Sequence, residues 1–351
     1  MEIGQWFRDK FNSLGQDKVI GLDIGGQTVK LTQVAIEDGI IQLNKLAILE
    51  TPAGVLDEGE LVEVEALADL LSTTLERNDF AREKVVSAIS GENVITRTIE
   101  VPDMPKEELD DTVNWEAEDQ IRLSVDEAVI DYEILDQNAN GKYRLLLVAV
   151  KQNLVEKYLD LFEKLGLQAA GIETEPIALG RLSKNLHLDK TFCIIDIGYQ
   201  TTDISVLHKG KLLFTRTINT GGKVITEDIA EDNQITFAKA EEYKKNNNLF
   251  LGEQPNIIIR NLTTSIYRSL DYFQVEHEDY ELEKIFLTGG SSKLTGYADY
   301  LKDQIGVEVE QLKLNRNFRS NLVQTSQNHL REVFPQMLVS IGLALRGEEN
   351  D

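Results

Sequence analysis

The chain has 351 residues, 36 of them Lys or Arg and 60 Asp or Glu, for a formal net charge of -24 at pH 7. So acidic a chain argues against nucleic-acid binding, which needs a basic face to neutralise phosphates, and the length calls for two lobes, each with its own core. No apolar run approaches the roughly 18 residues needed to span a bilayer, no signal-peptide pattern opens the chain, and the single cysteine, Cys193, allows no internal disulfide, so the composition reads as cytoplasmic.

In chain order, the first signal is amphipathic. Ile3, Trp6, Phe7, Phe11 and Leu14 fall within an arc of roughly 140° at helical spacing, so 1–16 is expected to be an amphipathic segment. Its aromatic face suits docking to a partner or shallow insertion at a membrane surface; packing on the chain's own first lobe is the alternative. Arg8 and Lys10 are offset by Glu2 and Asp9, so charge alone would attract lipid only feebly.

An apolar strand over 19–22 then runs into Asp23-Ile24-Gly25-Gly26-Gln27-Thr28, and a second strand follows over 29–36. Glycine lets the backbone turn sharply and approach a ligand, and successive N–H groups in such a turn form an anion-binding concavity. Asp23 adds a hard oxygen ligand suited to Mg2+, directly or through water.

After a strand at 85–89 comes a module over 92–166. Residues 94–101 alternate as a strand, and Pro102 to Pro105 break it. Leu109, Val113, Ala117 and Ile121 give helical spacing over 106–121. Strands over 127–135 and 143–150 flank the turn residues 137–141. A second amphipathic helix, 153–165, ends at Gly166. Strand, helix, two strands, helix makes a self-contained α/β unit of about 70 residues.

The strand 169–174 leads into Thr174-Glu175-Pro176, where proline suits the start of a helix. Then the opening motif returns. Asp196-Ile197-Gly198-Tyr199-Gln200-Thr201 follows the apolar run 192–195, 173 positions after its first copy (196 against 23), and strand-like residues 203–207 follow it. Two copies in the same context argue for an internal duplication. Facing each other, the two turns would clamp a magnesium nucleoside polyphosphate, with Asp23 and Asp196 toward the metal. Cys193 in its apolar strand is expected to be buried and inert.

Downstream, Thr220-Gly221-Gly222-Lys223 is a glycine turn ahead of a helix. Glu241 and Lys244 share one face of a predicted helix, as a ligand pair or as a solvated ion pair. Phe286 to Ser292, with Gly289, Gly290, Ser291 and Ser292, reads as a buried strand and small-residue turn ahead of a helix, whose first N–H groups suit phosphate. The four histidines, His187, His208, His277 and His329, show no metal-ligand spacing.

These motifs resemble those of the actin-like ATPases. The resemblance implies an α/β, actin-like ATPase fold with two duplicated lobes and a nucleotide cleft. The first lobe would hold 17–91 and 167–190, with the C-terminal helix 335–347 returning to it, and the second lobe 191–334. ATP or ADP with Mg2+ would be bound by Gly25, Gly26, Gln27, Thr28 and Lys30 of the first lobe. Gly198, Tyr199, Gln200 and Thr201 would serve the second turn, joined by Gly221, Gly222 and Lys223. Glu241 and Lys244 would contact ribose and adenine, and the Gly289 turn would admit the nucleoside. Glu175 resembles the residue that orients water near the γ-phosphate, and so is the candidate for water positioning or general base. One departure bears on rate. Tyr199 and Gln200 stand where small residues are common, leaving less room for phosphate, so slow hydrolysis or a nucleotide-dependent switch is expected.

The position of the 92–166 insertion resembles FtsA and the type IV pilus assembly protein PilM, and the segment 220–230 resembles FtsA. Residues 101–109, Trp115-Glu116-Ala117 and the closing 341–346 look like the PilM family, whereas Ile121 to Ser124 depart from its usual turn. That resemblance implies a cytoplasmic scaffold held at the inner face of the plasma membrane by the N-terminal cytoplasmic peptide of PilN. It would be part of a platform served by motor ATPases. The peptide surface is placed around 94–101 and the Trp115 helix. Two other readings are an FtsA-like tether that self-associates into filaments and an actin-superfamily kinase or ATPase. No further catalytic motif supports the second, and the acidic end 347–351 does not suit membrane binding.

Overall fold

The computed structural model describes residues 18–57, 59–90, 94–120, 127–137, 140–250, 255–322 and 327–348. The amphipathic segment 1–16, the turn at 121–124 and the residues beyond 348 lie outside the described residues.

The duplication is visible in two sheets. In the first, Val19–Ile24, Thr28–Glu37 and Ile40–Glu50 form an antiparallel meander. Lys84–Ile89 and then Gln168–Thr174 add in parallel on the far side of the opening strand. In the second sheet Thr191–Ile197, Thr202–His208 and Lys211–Ile218 repeat the meander, and Lys284–Thr288 and Glu308–Gln311 repeat the parallel additions. A short strand, Phe318–Ser320, extends the first sheet at its other edge, beside Ile40–Glu50. The opening strand is buried along all six residues, the unbroken apolar pattern of a strand covered on both faces.

The two turns also match. Gly25 N–H donates to the Thr28 carbonyl at 3.1 Å, and Gly198 N–H to the Thr201 carbonyl at 2.9 Å. Across these hairpins Asp23 pairs with Lys30 and Asp196 with Asp203.

On one face of the first sheet, helices Val64–Arg77 and Gln152–Lys164 bury Leu67, Leu71, Leu161 and Phe162. On the other lie Glu175–Asn185 and the terminal helix Leu338–Ala344. The terminal helix is pressed close. A Cβ on Gly21 would stand 2.6 Å from Ala344 N, and one on Gly342 would stand 2.6 Å from the Ala178 carbonyl carbon. Forced overpacking of this kind typically costs about 1–3 kcal/mol. Gly342→Ala is therefore expected to lower the unfolding free energy by that amount in urea titration; an unchanged midpoint would show that the helix is free to lift.

The inserted module is a three-stranded antiparallel sheet in the order Val94–Pro102, Lys142–Lys151, Ala128–Gln137. Helix Lys106–Gln120 lays Leu109, Val113 and Ala117 on it, with Ile99, Val101, Leu145 and Leu147. The module also touches the second lobe. Arg144, paired with Asp136, lies 2.9 Å from His277 Nδ1 at the end of helix Ile257–Glu276.

In the second lobe, Cys193 is fully buried among Ile195, Ile204 and Ile285. Burial pushes its thiol pKa up, so it stays protonated and inert. The expected strand, small-residue turn and helix follow in that order. After Lys284–Thr288 the chain makes a single 3-10 turn, Gly290–Lys293, and the helix Tyr297–Ile305 starts only later. Gly289 at φ +83° and Gly296 at φ +89° bend the backbone out of helical geometry on both sides of that turn.

Candidate functional site

Both meander turns open onto one cleft of 1240 Å3 between the lobes. It gathers Asp23, Gly25, Gly26, Gln27, Thr28, Lys30 and Glu175 from the first lobe. From the second come Asp196, Gly198, Tyr199, Gln200, Thr201, Gly222, Glu241, Lys244, Gly289, Gly290 and Ser291. These residues are far apart in sequence, and the duplicated topology brings them together. Three expected contacts do not line it. Gly221 sits behind the second turn, where a Cβ would meet the Tyr199 carbonyl oxygen at 2.5 Å. Lys223 faces Glu227 at 3.8 Å. Ser292 turns back to donate to the Gly289 carbonyl at 2.7 Å.

The cleft floor is rich in carboxylates. Lys30 Nζ donates to Asp23 Oδ2 at 2.9 Å. Burial lowers the Lys30 pKa, but the carboxylates of Asp23 and then Asp196 and Glu175 outweigh it, so the ammonium is held above its usual range. Asp196 Oδ2 accepts from Thr288 Oγ1 at 2.9 Å. Asp203 accepts from Thr217 at 2.5 Å and from Thr201 at 3.0 Å. Burial pushes the Asp196 carboxyl up to about 7, against the pull of the Thr288 hydroxyl. Burial also raises Asp203. Glu175 stands well above the ordinary carboxylate range because it is buried and faces Asp203, Asp23 and Asp196.

Asp23, Glu175, Asp196 and Asp203 therefore gather around one lysine that is already paired. This is a floor that favours a cation. Among the described residues no three His, Cys, Asp or Glu groups are placed to hold a metal ion by themselves. A hard cation here must complete its shell with water or phosphate oxygens, the usual manner of Mg2+. Asp23 and Asp196 both lie on this floor.

The glycines of the cleft walls are closely packed against the facing residues. A Cβ on Gly26 would stand 2.9 Å from Tyr199 Cδ1 and 3.2 Å from Gln200 Oε1, so the two turns touch across the gap. A Cβ on Gly289 would meet Asp196 Oδ1 at 2.5 Å. Lys244 is committed inward: its ammonium donates to the Gly222 carbonyl at 2.9 Å and to Thr226 Oγ1 at 2.6 Å, and pairs with Glu241 Oε2 at 2.7 Å. Burial lowers its pKa. The Glu241–Lys244 pair is thus a buried brace between two helices, with Glu241 the more open of the two.

Asp203, Ser90, Thr51 and Lys293 also line the cleft. Thr51 Oγ1 donates to the Gly25 carbonyl at 2.6 Å and so pins the first turn. Asp203 was legible in principle. It occupies the position that Lys30 occupies in the first copy, seven residues after the motif aspartate in each. The others carry no sequence signal, because only the tertiary fold brings them near the turns.

The family model described as "Type IV pilus assembly protein PilM" matches residues 21–348. The solved structure of the PilM-PilN type IV pilus biogenesis complex superposes with a TM-score of 0.84 at 30% identity, covering 96% of this chain and 100% of that one. MreB5 of Spiroplasma citri bound to AMPPNP has a TM-score of 0.54 at 13% identity, covering 93% and 95% of the two chains. That likeness places the fold among the actin-like proteins. Among curated proteins, the ethanolamine utilization protein EutJ of Escherichia coli (strain K12) is 29% identical over 147 residues, 42% of this chain and 49% of EutJ. The cell division protein FtsA of the same strain is 22% identical over 263 residues, 67% of this chain and 61% of FtsA. The chain thus spans less than two-thirds of either curated relative. Among the described residues no helix is long and apolar enough to cross a membrane.

Proposed function

The chain belongs to the family of the type IV pilus assembly protein PilM, and from that premise we propose that it is a nucleotide-loaded adaptor, binding Mg-ATP or Mg-ADP between its lobes and the N-terminal cytoplasmic peptide of a PilN-like membrane protein on its inserted module. The observation that carries the nucleotide half is the convergence of two glycine turns closed by the same backbone bond, with their motif aspartates, on one cleft. The turn amides and Lys30 would bind phosphate oxygens. Asp23 and Asp196 would hold Mg2+, which neutralises phosphate charge when bound. Glu175 begins the helix Glu175–Asn185 and faces the same floor. It would orient a water, but burial among carboxylates disfavours the ionised form that accepts a proton. Together with the close contact of Tyr199 and Gly26, this favours slow turnover.

The peptide half rests on the relative solved as a complex with PilN and on Trp115. That side chain is 64% exposed on a helix whose opposite stripe is buried. An exposed tryptophan beside a sheet edge suits a peptide anchor. The adaptor would sit at the inner face of the plasma membrane through this contact. The lobes would be the source of regulation, since the module rests on the first lobe and touches the second through Arg144 and His277.

Calorimetry on the purified protein tests both halves. Saturable one-to-one binding of Mg-ATP is expected, and separately of the partner's N-terminal peptide, the latter weakened about ten-fold or more by Trp115→Ala. Peptide affinity identical with and without nucleotide would sink the coupling. Absence of peptide binding in both states, with nucleotide binding intact, would favour the FtsA-like filament reading.

A further inference from the structure

Acidic residues are spread unevenly along this chain. Residues 311–331 contain no Asp or Glu, although 60 of the 351 residues are acidic, about one in six. The same stretch carries Lys313, Arg316, Arg319 and Arg331. Some of its described residues line a separate cavity of 430 Å3. Leu314, Phe318 and Leu330 make its apolar floor, and Arg319 and Arg331 stand on its lining, which holds no acidic residue among those described. Neither arginine makes an ion pair with any described residue. The amide groups nearby are already used: Asn315 donates to the Leu186 carbonyl at 3.3 Å and Asn321 to Asn44 Oδ1 at 2.9 Å. The two guanidiniums are the free polar groups of this cavity.

The cavity lies along Phe318–Ser320, the edge strand of the first-lobe sheet, which has a neighbour on one side only. It is at the opposite edge of that sheet from Gln168–Thr174, the strand that follows the inserted module. This surface is therefore distinct from both the cleft and the module. An open edge offers backbone pairing to an extended segment, and a pocket beside it takes alternate side chains.

We propose that this cavity is a second docking site, for an extended acidic peptide segment of a protein partner that seats one apolar side chain on Leu314, Phe318 and Leu330 and its carboxylates on Arg319 and Arg331. Charge complementarity selects the partner. The two arginines match carboxylates in bidentate geometry, while the surrounding net charge of -24 repels broad anionic surfaces such as a membrane or nucleic acid. Arg319 and Arg331 are both exposed, so the carboxylates of a short segment can reach them. Steering across an acidic field makes the contact salt-sensitive and selective more than tight.

The test uses the full chain and a fluorescein-labelled peptide, Glu-Asp-Leu-Phe-Glu-Asp-Glu, read by anisotropy at low and high salt. The expected result is saturable one-to-one binding, weakened roughly ten-fold or more by Arg319→Glu and by Arg331→Glu. A peptide with its acids changed to the corresponding amides should lose binding to the same extent. Both variants should keep the wild-type unfolding midpoint and Mg-ATP affinity, since neither residue lines the cleft. Three results would overturn the proposal. One is no binding at low salt. Another is equal binding by the Arg319→Glu and Arg331→Glu variants. The third is equally strong, arginine-dependent binding of inorganic phosphate or of vesicles of equal parts phosphatidylcholine and phosphatidylserine, which would make the site a general anion or lipid site.

Discussion

Asp196→Asn is expected to make the nucleotide-free protein more stable at pH 8 and to weaken its magnesium-dependent binding of nucleotide at the same time. The folded Asp196 carboxyl has a pKa pushed up to about 7 from an ordinary 3.8. Between those values the folded state therefore holds a proton that the unfolded state has lost, and stability falls as pH rises through that window. Three units bound the cost at about 4 kcal/mol. The Asp196 side chain opens partly onto the cleft, and water there screens the charge, so a gain of about 1–2 kcal/mol for the variant at pH 8 is a reasonable expectation. Below about pH 4 the two proteins should be equally stable. The same carboxylate is placed to serve Mg2+, so the variant should lose roughly ten-fold or more in Mg-ATP affinity while its metal-free affinity holds or improves. Urea titrations from pH 4 to pH 8, with calorimetry alongside, check both. A variant less stable than wild type at pH 8 would mean that the Thr288 hydrogen bond outweighs the buried charge.

Much of this site was legible before any coordinates. The repeated Asp-Ile-Gly turn announces two like hairpins, because a glycine turn after a buried strand has few alternatives. The strand-helix-strand-strand-helix reading of the insertion follows from Leu109, Val113 and Ala117 at helical spacing, and all three are buried on its sheet. What the residues could not show is set by distant contacts. Lys244 reads as a ligand on an exposed acidic helix. The fold instead brings the Gly222 carbonyl and Thr226 against it and commits it inward. The turn after Gly289 is legible as a small-residue turn, but its 3-10 form between the positive φ angles of Gly289 and Gly296 is not. Arg144 and His277, 133 positions apart, meet only because the insertion packs back on the second lobe. Nothing local marks either residue.

The largest stability loss is expected from Glu173→Ala, at a residue no sequence motif identifies. The Glu173 side chain is 6% exposed and receives Arg181 Nη1 at 2.7 Å and Nη2 at 2.9 Å. Arg346 Nη1 adds a third bond at 3.0 Å from the end of the chain. Arg181 also donates to the Gly342 carbonyl at 2.9 Å, so the carboxylate ties Glu175–Asn185 and the terminal helix to the first sheet. Removing it strips the buried Arg181 guanidinium of this doubly bonded carboxylate, a break that costs about 3–5 kcal/mol. Burial alone would raise the Glu173 pKa, but Arg181 and then Arg346 outweigh it and hold the pKa below its usual range. The sign is thus opposite to that of Asp196. Glu173 contributes stability above the ordinary carboxylate pKa of 4.5 and loses it as pH falls through the lowered folded value. Wild-type stability should therefore fall on both sides of a maximum near weakly acidic pH. Glu173→Gln, which keeps the shape and forfeits the charge, should flatten the acid limb alone, and Asp196→Asn the limb above it. The sites are bonded to different partners, so the two effects should add in the double variant to within about 0.5 kcal/mol. An acid limb that survives Glu173→Gln would place its origin in some other carboxylate and leave the triad as packing only.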